Sequence, residues 1–216
     1  MCQTERVFTA LLDTSVLWPS LQRDFLLSLA AEHLYRPIWS AVILAELERH
    51  EFLKLVKRGE QPEVAEERAR FLAAEMQRAF DDAVVEGWEA LEGSYGLPDP
   101  DDEHVVAAAV VGGAGAIVTA NFKDFPIRCL PPSLHVLSAS EFAYNTVSIN
   151  PFAGLQAVTA ISRRSGSKGP SRSTDELLDL LESRYDLVQA VDVLRKVATP
   201  IGNASSTPSA RHTGHP

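Results

Sequence analysis

Apolar positions in the first part of the chain fall into two alternating kinds of block: short continuous runs of strand length, and longer stretches with three-to-four spacing that suit helices. Residues 7–13 (VFTALLD) form a strand-length run ending in an acid. Pro19-Ser20 opens a helical pattern through Leu34, with Phe25, Leu26, Leu29 and Ala30 on one face. Residues 35–39 predict a second strand, which Pro37 confines to a sheet edge because it lacks a ladder donor. Ser40 suits the N-cap of a helix running towards Arg58, where Gly59 stops it. Residues 62–80 predict an amphipathic helix, with Val64, Phe71, Leu72, Met76 and Phe80 facing inward and Glu66 paired with Arg70 outside. Residues 83–86 read as a short strand. Asp99-Pro100 reads as a helix opening, acid at N-cap and proline at N1, leading into residues 104–111 before the Gly112-Gly113 stop. Residues 116–119 and 134–137 complete the strands. Strands alternating with helices predict an α/β layer with a mainly parallel sheet.

The pattern changes after Ser138. Ser138-Ala139-Ser140-Glu141 is a capping box, and from Pro151 onward only helical patterns occur. Residues 163–172 (RRSGSKGPSR) carry four cations, Arg163, Arg164, Lys168 and Arg172, and no acid, on a Gly/Ser/Pro-rich backbone that reads as a flexible basic loop. Residues 174–182 and 186–197 predict a helical hairpin. The expected organisation is a sheet domain over 1–138, an all-helical extension over 139–198, and a disordered tail over 199–216.

Net charge removes some functions and leaves others local. Against 20 Lys and Arg stand 29 Asp and Glu, a formal charge of −9, so bulk attraction to nucleic acid or an anionic membrane is excluded and any such role must rest on a local site. The longest apolar run, 105–118, is too short for a membrane span and is broken by glycines. The N-terminus lacks a signal-peptide layout, and Cys2 and Cys129 offer neither a disulfide framework nor metal-ligand spacing. A cytoplasmic location is the expectation.

Acids inside or beside apolar runs carry the chemistry. Asp13 ends the first strand, and Glu46 sits within VILAEL. Asp99, Asp101 and Asp102 cluster just before VVAAAVV, and Asn121 and Asp124 follow AIVT. In a parallel sheet, strand C-terminal ends and the following helix starts share one edge, so these positions are able to converge. Carboxylates packed together raise one another's pKa unless a cation is present, and an all-oxygen set favours Mg²⁺ or Mn²⁺ over zinc. Each acid also has a plainer reading: turn former for Asp13 and Asp124, a solvent pair with Arg49 or His50 for Glu46, and helix capping for Asp99 to Asp102. Their order and flanks together favour the site. His104 reads as a structural histidine. Thr14, Ser15 and Thr119 suit either carboxylate or turn-backbone hydrogen bonds.

The segments LLDTSVL, WSAVILAELERH, LPDPDDEHVVAAAV and GAIVTANFKDFP, in that order, give residues 7–137 a sequence that resembles the PIN-domain nucleases, which include the VapC-type toxins of bacterial toxin–antitoxin pairs. The resemblance implies a parallel sheet sandwiched between helices and a divalent-metal site that cuts single-stranded or structured RNA. By motif match Asp13, Glu46 and Asp102 are the metal carboxylates, with Asp99 the candidate adjacent to Asp102. Asn121 holds a place that is acidic in many relatives, and Asp124 stands as its substitute, so one or two ions remain open. The implied catalytic set is Asp13, Glu46, Asp102 and Asp124. The implied partners are an RNA substrate, a DNA-binding antitoxin and a second copy of the chain; Arg163, Arg164, Lys168 and Arg172 are the candidate RNA contacts. The rival readings are an inactive PIN scaffold that binds RNA or protein, a haloacid-dehalogenase-type phosphatase, and a helical interaction protein that acts through its extension. The phosphatase needs a second Asp where Ser15 stands.

Overall fold

The computed structural model describes residues 7–167 and 169–198, so the expectations for Lys168 and for the tail over 199–216 lie outside the described residues. Five strands, β1 (Thr9–Leu12), β2 (Arg36–Ser40), β3 (Val84–Val85), β4 (Ala116–Val118) and β5 (His135–Leu137), pair in the order β3-β2-β1-β4-β5, and every pairing is parallel. Nine helices are described: α1 (Thr14–Leu17), α2 (Ser20–Ala31), α3 (Ala41–Lys57), α4 (Pro62–Ala79), α5 (Glu103–Val111), α6 (Ala139–Ile149), α7 (Pro151–Arg164), α8 (Thr174–Tyr185) and α9 (Val188–Ala198).

The central strands are apolar on both faces, as a sheet covered on both sides requires: Ala10, Leu11 and Leu12 of β1 and Ala116, Ile117 and Val118 of β4 are fully buried. From β1 the chain crosses through α2 to β2 on one side, and after β3 it crosses back through α5 to β4 on the other. Right-handed crossovers in opposite directions place α2 and α5 on opposite faces. Helix α5, buried from Glu103 to Ala109, lies across β2, β1 and β4. Helices α6, α7 and α8 pack on α2, with Phe142 meeting Tyr35 edge to face at 4.7 Å. One hydrophobic cluster therefore runs from Leu11 and Phe25 through to Leu178 and Leu194.

Four local expectations change. Strand β2 is interior in the sheet order, not an edge. Arg36 N donates to Phe8 O on the β1 side and Trp39 N to Ala83 O on the β3 side, so strand alternation aims position 37 towards β3. That strand is only two residues long and pairs first at Trp39, which leaves Pro37 at a locally open edge. The inward face of α4 is also rotated: Ala65, Ala69, Ala73 and Met76 are buried, whereas Val64 and Phe71 are half-exposed. Alanines at successive i, i+4 positions let α4 approach α3 closely, so volume matching overrides the larger side chains. Asp102 belongs to a 3-10 turn, Pro100–Asp102, immediately before α5 rather than to its first turn. Arg163 and Arg164 lie in the last turn of α7, so the basic loop begins after them.

The alanine face predicts a contrast. Ala69→Leu, which adds methylenes at a fully buried position, should destabilise by about 1–3 kcal/mol, while Val64→Ala should stay within about 0.5 kcal/mol. Urea unfolding of both variants checks this, and the reverse order would place α4 on its other face.

Candidate active site

Asp13 stands where the sheet order reverses. The chain leaves β1 towards β2 and later returns to β4 on the other side, opening the crevice at the strand C-terminal ends where α/β sheets bind ligands. Asp13 N donates to Val118 O across this crevice at 3.0 Å. Its buried carboxylate accepts at Oδ2 from Ser15 Oγ (2.6 Å) and from Thr119 Oγ1 (2.7 Å). Ser15 Oγ in turn accepts from Ala120 N, and Thr119 Oγ1 from Asn121 N. The three polar residues thus form one latch between the β1 and β4 loops. Their hydroxyls serve both the carboxylate and the turn backbone, so both readings the sequence left open for Ser15 and Thr119 hold.

Glu46 projects from the second turn of α3, a helix whose start is fixed by Ser40 Oγ accepting from Ile43 N. Thr14 Oγ1 donates to Glu46 Oε2. His104 Nε2 lies 3.5 Å from Glu46 Oε1, and its Nδ1 lies 3.4 Å from Ser40 Oγ. Burial alone would push the Glu46 carboxyl up, but the hydrogen bonds from His104 and Thr14 and the nearby His104 and His50 hold it below the usual range. His104, packed beside Trp88, is therefore the site's orienting residue for Glu46, a role sequence reasoning missed. The available signal was a histidine entering an otherwise apolar helix two residues after an acid.

Asp99 Oδ1 caps the 3-10 turn by accepting from Asp101 N, and Glu103, buried behind it, accepts from Tyr95 N and Leu97 N to hold the preceding loop. This delivers Asp102 to the crevice. Its carboxyl is pushed up to about 6 by burial and then by the negative charges of Asp13, Asp124 and Asp99, with His104 opposing. Asp124 is half-buried after β4, anchored by buried Phe125, and Asn121 is exposed beside it.

The structure therefore brings Asp13, Asp99 and Asp124 within electrostatic reach of Asp102. Glu46 joins them indirectly, through Thr14 and His104. Among the described residues no three His, Cys, Asp or Glu side chains converge closely enough to hold an ion as they stand. The donor chemistry nonetheless fits an oxygen-ligated divalent cation: several carboxylates, no cysteine, and a proton affinity at Asp102 raised by burial and then by like charges that a cation would offset.

The basic segment lies elsewhere. Arg164 is paired to Asp24 at 2.5 Å and donates to Ser28 on α2, and Arg172 O accepts from Ser162. Arg164 and Arg172 line a groove of about 1370 Å³ that also includes Val7, Arg36 and Asp82, residues at the strand N-terminal ends. Where Arg164 and Arg172 line it, beside Val7, Arg36 and Asp82, the groove lies at the strand N-terminal ends, away from the acids. No helix among the described residues is long and apolar enough to cross a membrane.

A family model described as PIN domain matches residues 9–123, which spans β1 through the turn that carries Asp124's neighbours. No curated protein and no solved structure matches the chain.

The elevated Asp102 generates a signed prediction. With a folded-state value near 6 against an ordinary 3.8, ionising Asp102 weakens the metal-free fold above pH 6, and this penalty disappears as pH falls through that window. Asp102→Asn should raise the melting temperature at pH 7 in EDTA by roughly 2 °C or more, with the gain lost by pH 4. An equal gain at both pH values would contradict the raised carboxyl.

Proposed function

The chain belongs to the PIN-domain family, and from that premise we propose that it is a divalent-metal-dependent endoribonuclease. PIN domains are generally metal-dependent nucleases, and the observation that carries the reading here is the gathering of Asp13, Asp99 and Asp124 around Asp102 at the sheet's switch point, where burial and then their charges raise its carboxyl. Asp13, Glu46 and Asp102 would hold Mg²⁺ or Mn²⁺, with Asp124 and Asp99 alongside. The chemistry such a cation supplies when bound is charge relief on the scissile phosphate and a more acidic attacking water.

The chain's own groups have separable tasks. Ser15 and Thr119 fix the Asp13 carboxylate, and Thr14 and His104 fix that of Glu46, so ligands and phosphate meet preset oxygens. Asn121 and Asp124, on the β4 loop, would orient water. An acidic chain can approach RNA by this route because a bound cation inverts the local field.

The resemblance over residues 7–137 to VapC-type proteins supports a finer role: the toxin of a type II toxin–antitoxin pair, acting in the cytoplasm as a homodimer and occluded by a DNA-binding antitoxin. A second reading, a PIN scaffold that binds RNA or a protein without cutting, draws on Asn121, which stands where the resemblance implies a fourth acid.

Purified full-length protein should cleave RNA in Mg²⁺ or Mn²⁺, stop in EDTA and recover on adding either ion back. Asp13→Asn and Glu46→Gln should each lower the rate roughly a hundredfold or more, the scale on which losing one charge-stabilising group slows an enzyme. Their circular dichroism should match the parent's. RNA binding with no cleavage in either ion would favour the scaffold.

A further inference from the structure

The chain has three tryptophans, and they are treated differently. Trp39 is fully buried and Trp88 nearly so, while Trp18 leaves 43% of its surface in solvent. An indole kept in water forgoes the burial that normally stabilises so large a ring, so its position needs a reason.

Trp18 closes α1, five residues after Asp13, on a corner that is held rigidly. Its N–H donates to Thr14 O at 2.9 Å, and Pro19 follows it. The buried side chain of Gln22 donates to Val16 O at 2.9 Å, and that of Arg23 to Leu17 O at 2.7 Å. Two buried polar side chains thus pin the end of a four-residue helix that is followed at once by an exposed ring. The Trp18 ring leans on His50, centroids 6.0 Å apart and planes tilted 52°, and His50 lies one helical turn beyond Glu46. On the other side of Asp13 along the sheet edge, the β4 loop presents Phe122, 46% exposed, two residues before Asp124 and next to exposed Lys123. Along the sheet edge Asp13 therefore lies between two exposed aromatic groups.

We infer that Trp18, backed by His50, is a stacking platform for an unpaired base beside the scissile phosphate, with Phe122 receiving a base on the far side, and that this pair confines cleavage to single strands. The inference rests on the nuclease reading above. An aromatic ring accepts any base through its π-face, which a duplex keeps covered by neighbouring bases, so a rigid exposed indole selects unpaired nucleotides without selecting sequence.

The test follows tryptophan emission of the full-length Asp13→Asn protein in Mg²⁺, which should not cut, during titration with a short oligoadenylate or a blunt RNA duplex of the same length. The oligoadenylate should quench emission saturably and the duplex should not. Trp18→Leu should remove the quench and weaken binding roughly tenfold, the loss expected for one stacked base. Trp18→Phe should also remove the quench but keep the affinity near the parent's, which separates stacking from misfolding. In the cleaving protein, Trp18→Leu should raise KM with little change in kcat. If the unaltered protein cleaves RNA while Trp18→Leu binds as tightly as its parent, or if duplex quenches as well as single strand, the platform is wrong and the nuclease stands. If the unaltered protein neither binds nor cleaves RNA, both fall.

Discussion

Electrostatic crowding at one edge of the sheet is the constraint around which the remaining structure is arranged. Asp102, in the turn before α5, has its proton affinity raised by burial and then by the charges of Asp13, Asp124 and Asp99, drawn from the ends of β1 and β4 and from its own turn. Such an arrangement opposes folding in the absence of a cation, and it persists because each carboxylate is held by elements with independent reasons to be where they are. Asp13 is latched by two hydroxyls and a backbone bond across the β1–β4 crevice. Asp102 is delivered by a turn that Asp99 caps and whose neighbouring loop is tied to buried Glu103. Asp124 follows a strand whose residues are wholly buried.

The fold keeps this edge open. Helices α6 to α9 add their apolar faces to the side of the sheet that α2 covers, and their basic segment lines a groove at the strands' opposite ends. Helix α5, apolar nearly all round, fills the other face and brings His104 under Glu46. Core packing and site construction thus share one helix: the residues that make α5 a core element also fix the height of His104 above the sheet.

Much of this was legible in the sequence because strand runs, caps and glycine stops act locally. The box at Ser138, the Ser40 cap and the Gly59 stop form as their residue types dictate. The shared edge of Asp13, Asp102 and Asp124 followed from parallel topology alone. What stayed illegible depends on partners distant in sequence. The buried face of α4 is chosen by how closely α3 can approach, which favours Ala65 and Ala69 over Val64 and Phe71. Pro37 is tolerated inside the sheet because β3 is too short to need its donor. The role of His104 emerges only when α5 is laid beside α3, and the pairing of Arg164 with Asp24 only when α7 is laid on α2.

The central claim, that the aspartate edge is a divalent-cation site, is tested most directly by anomalous diffraction from a crystal of the full chain soaked in Mn²⁺. The account predicts a manganese peak at the strand C-terminal ends, bounded by the carboxylates of Asp13, Glu46 and Asp102. No peak there at saturating Mn²⁺, or peaks confined to other acidic surfaces, would contradict it.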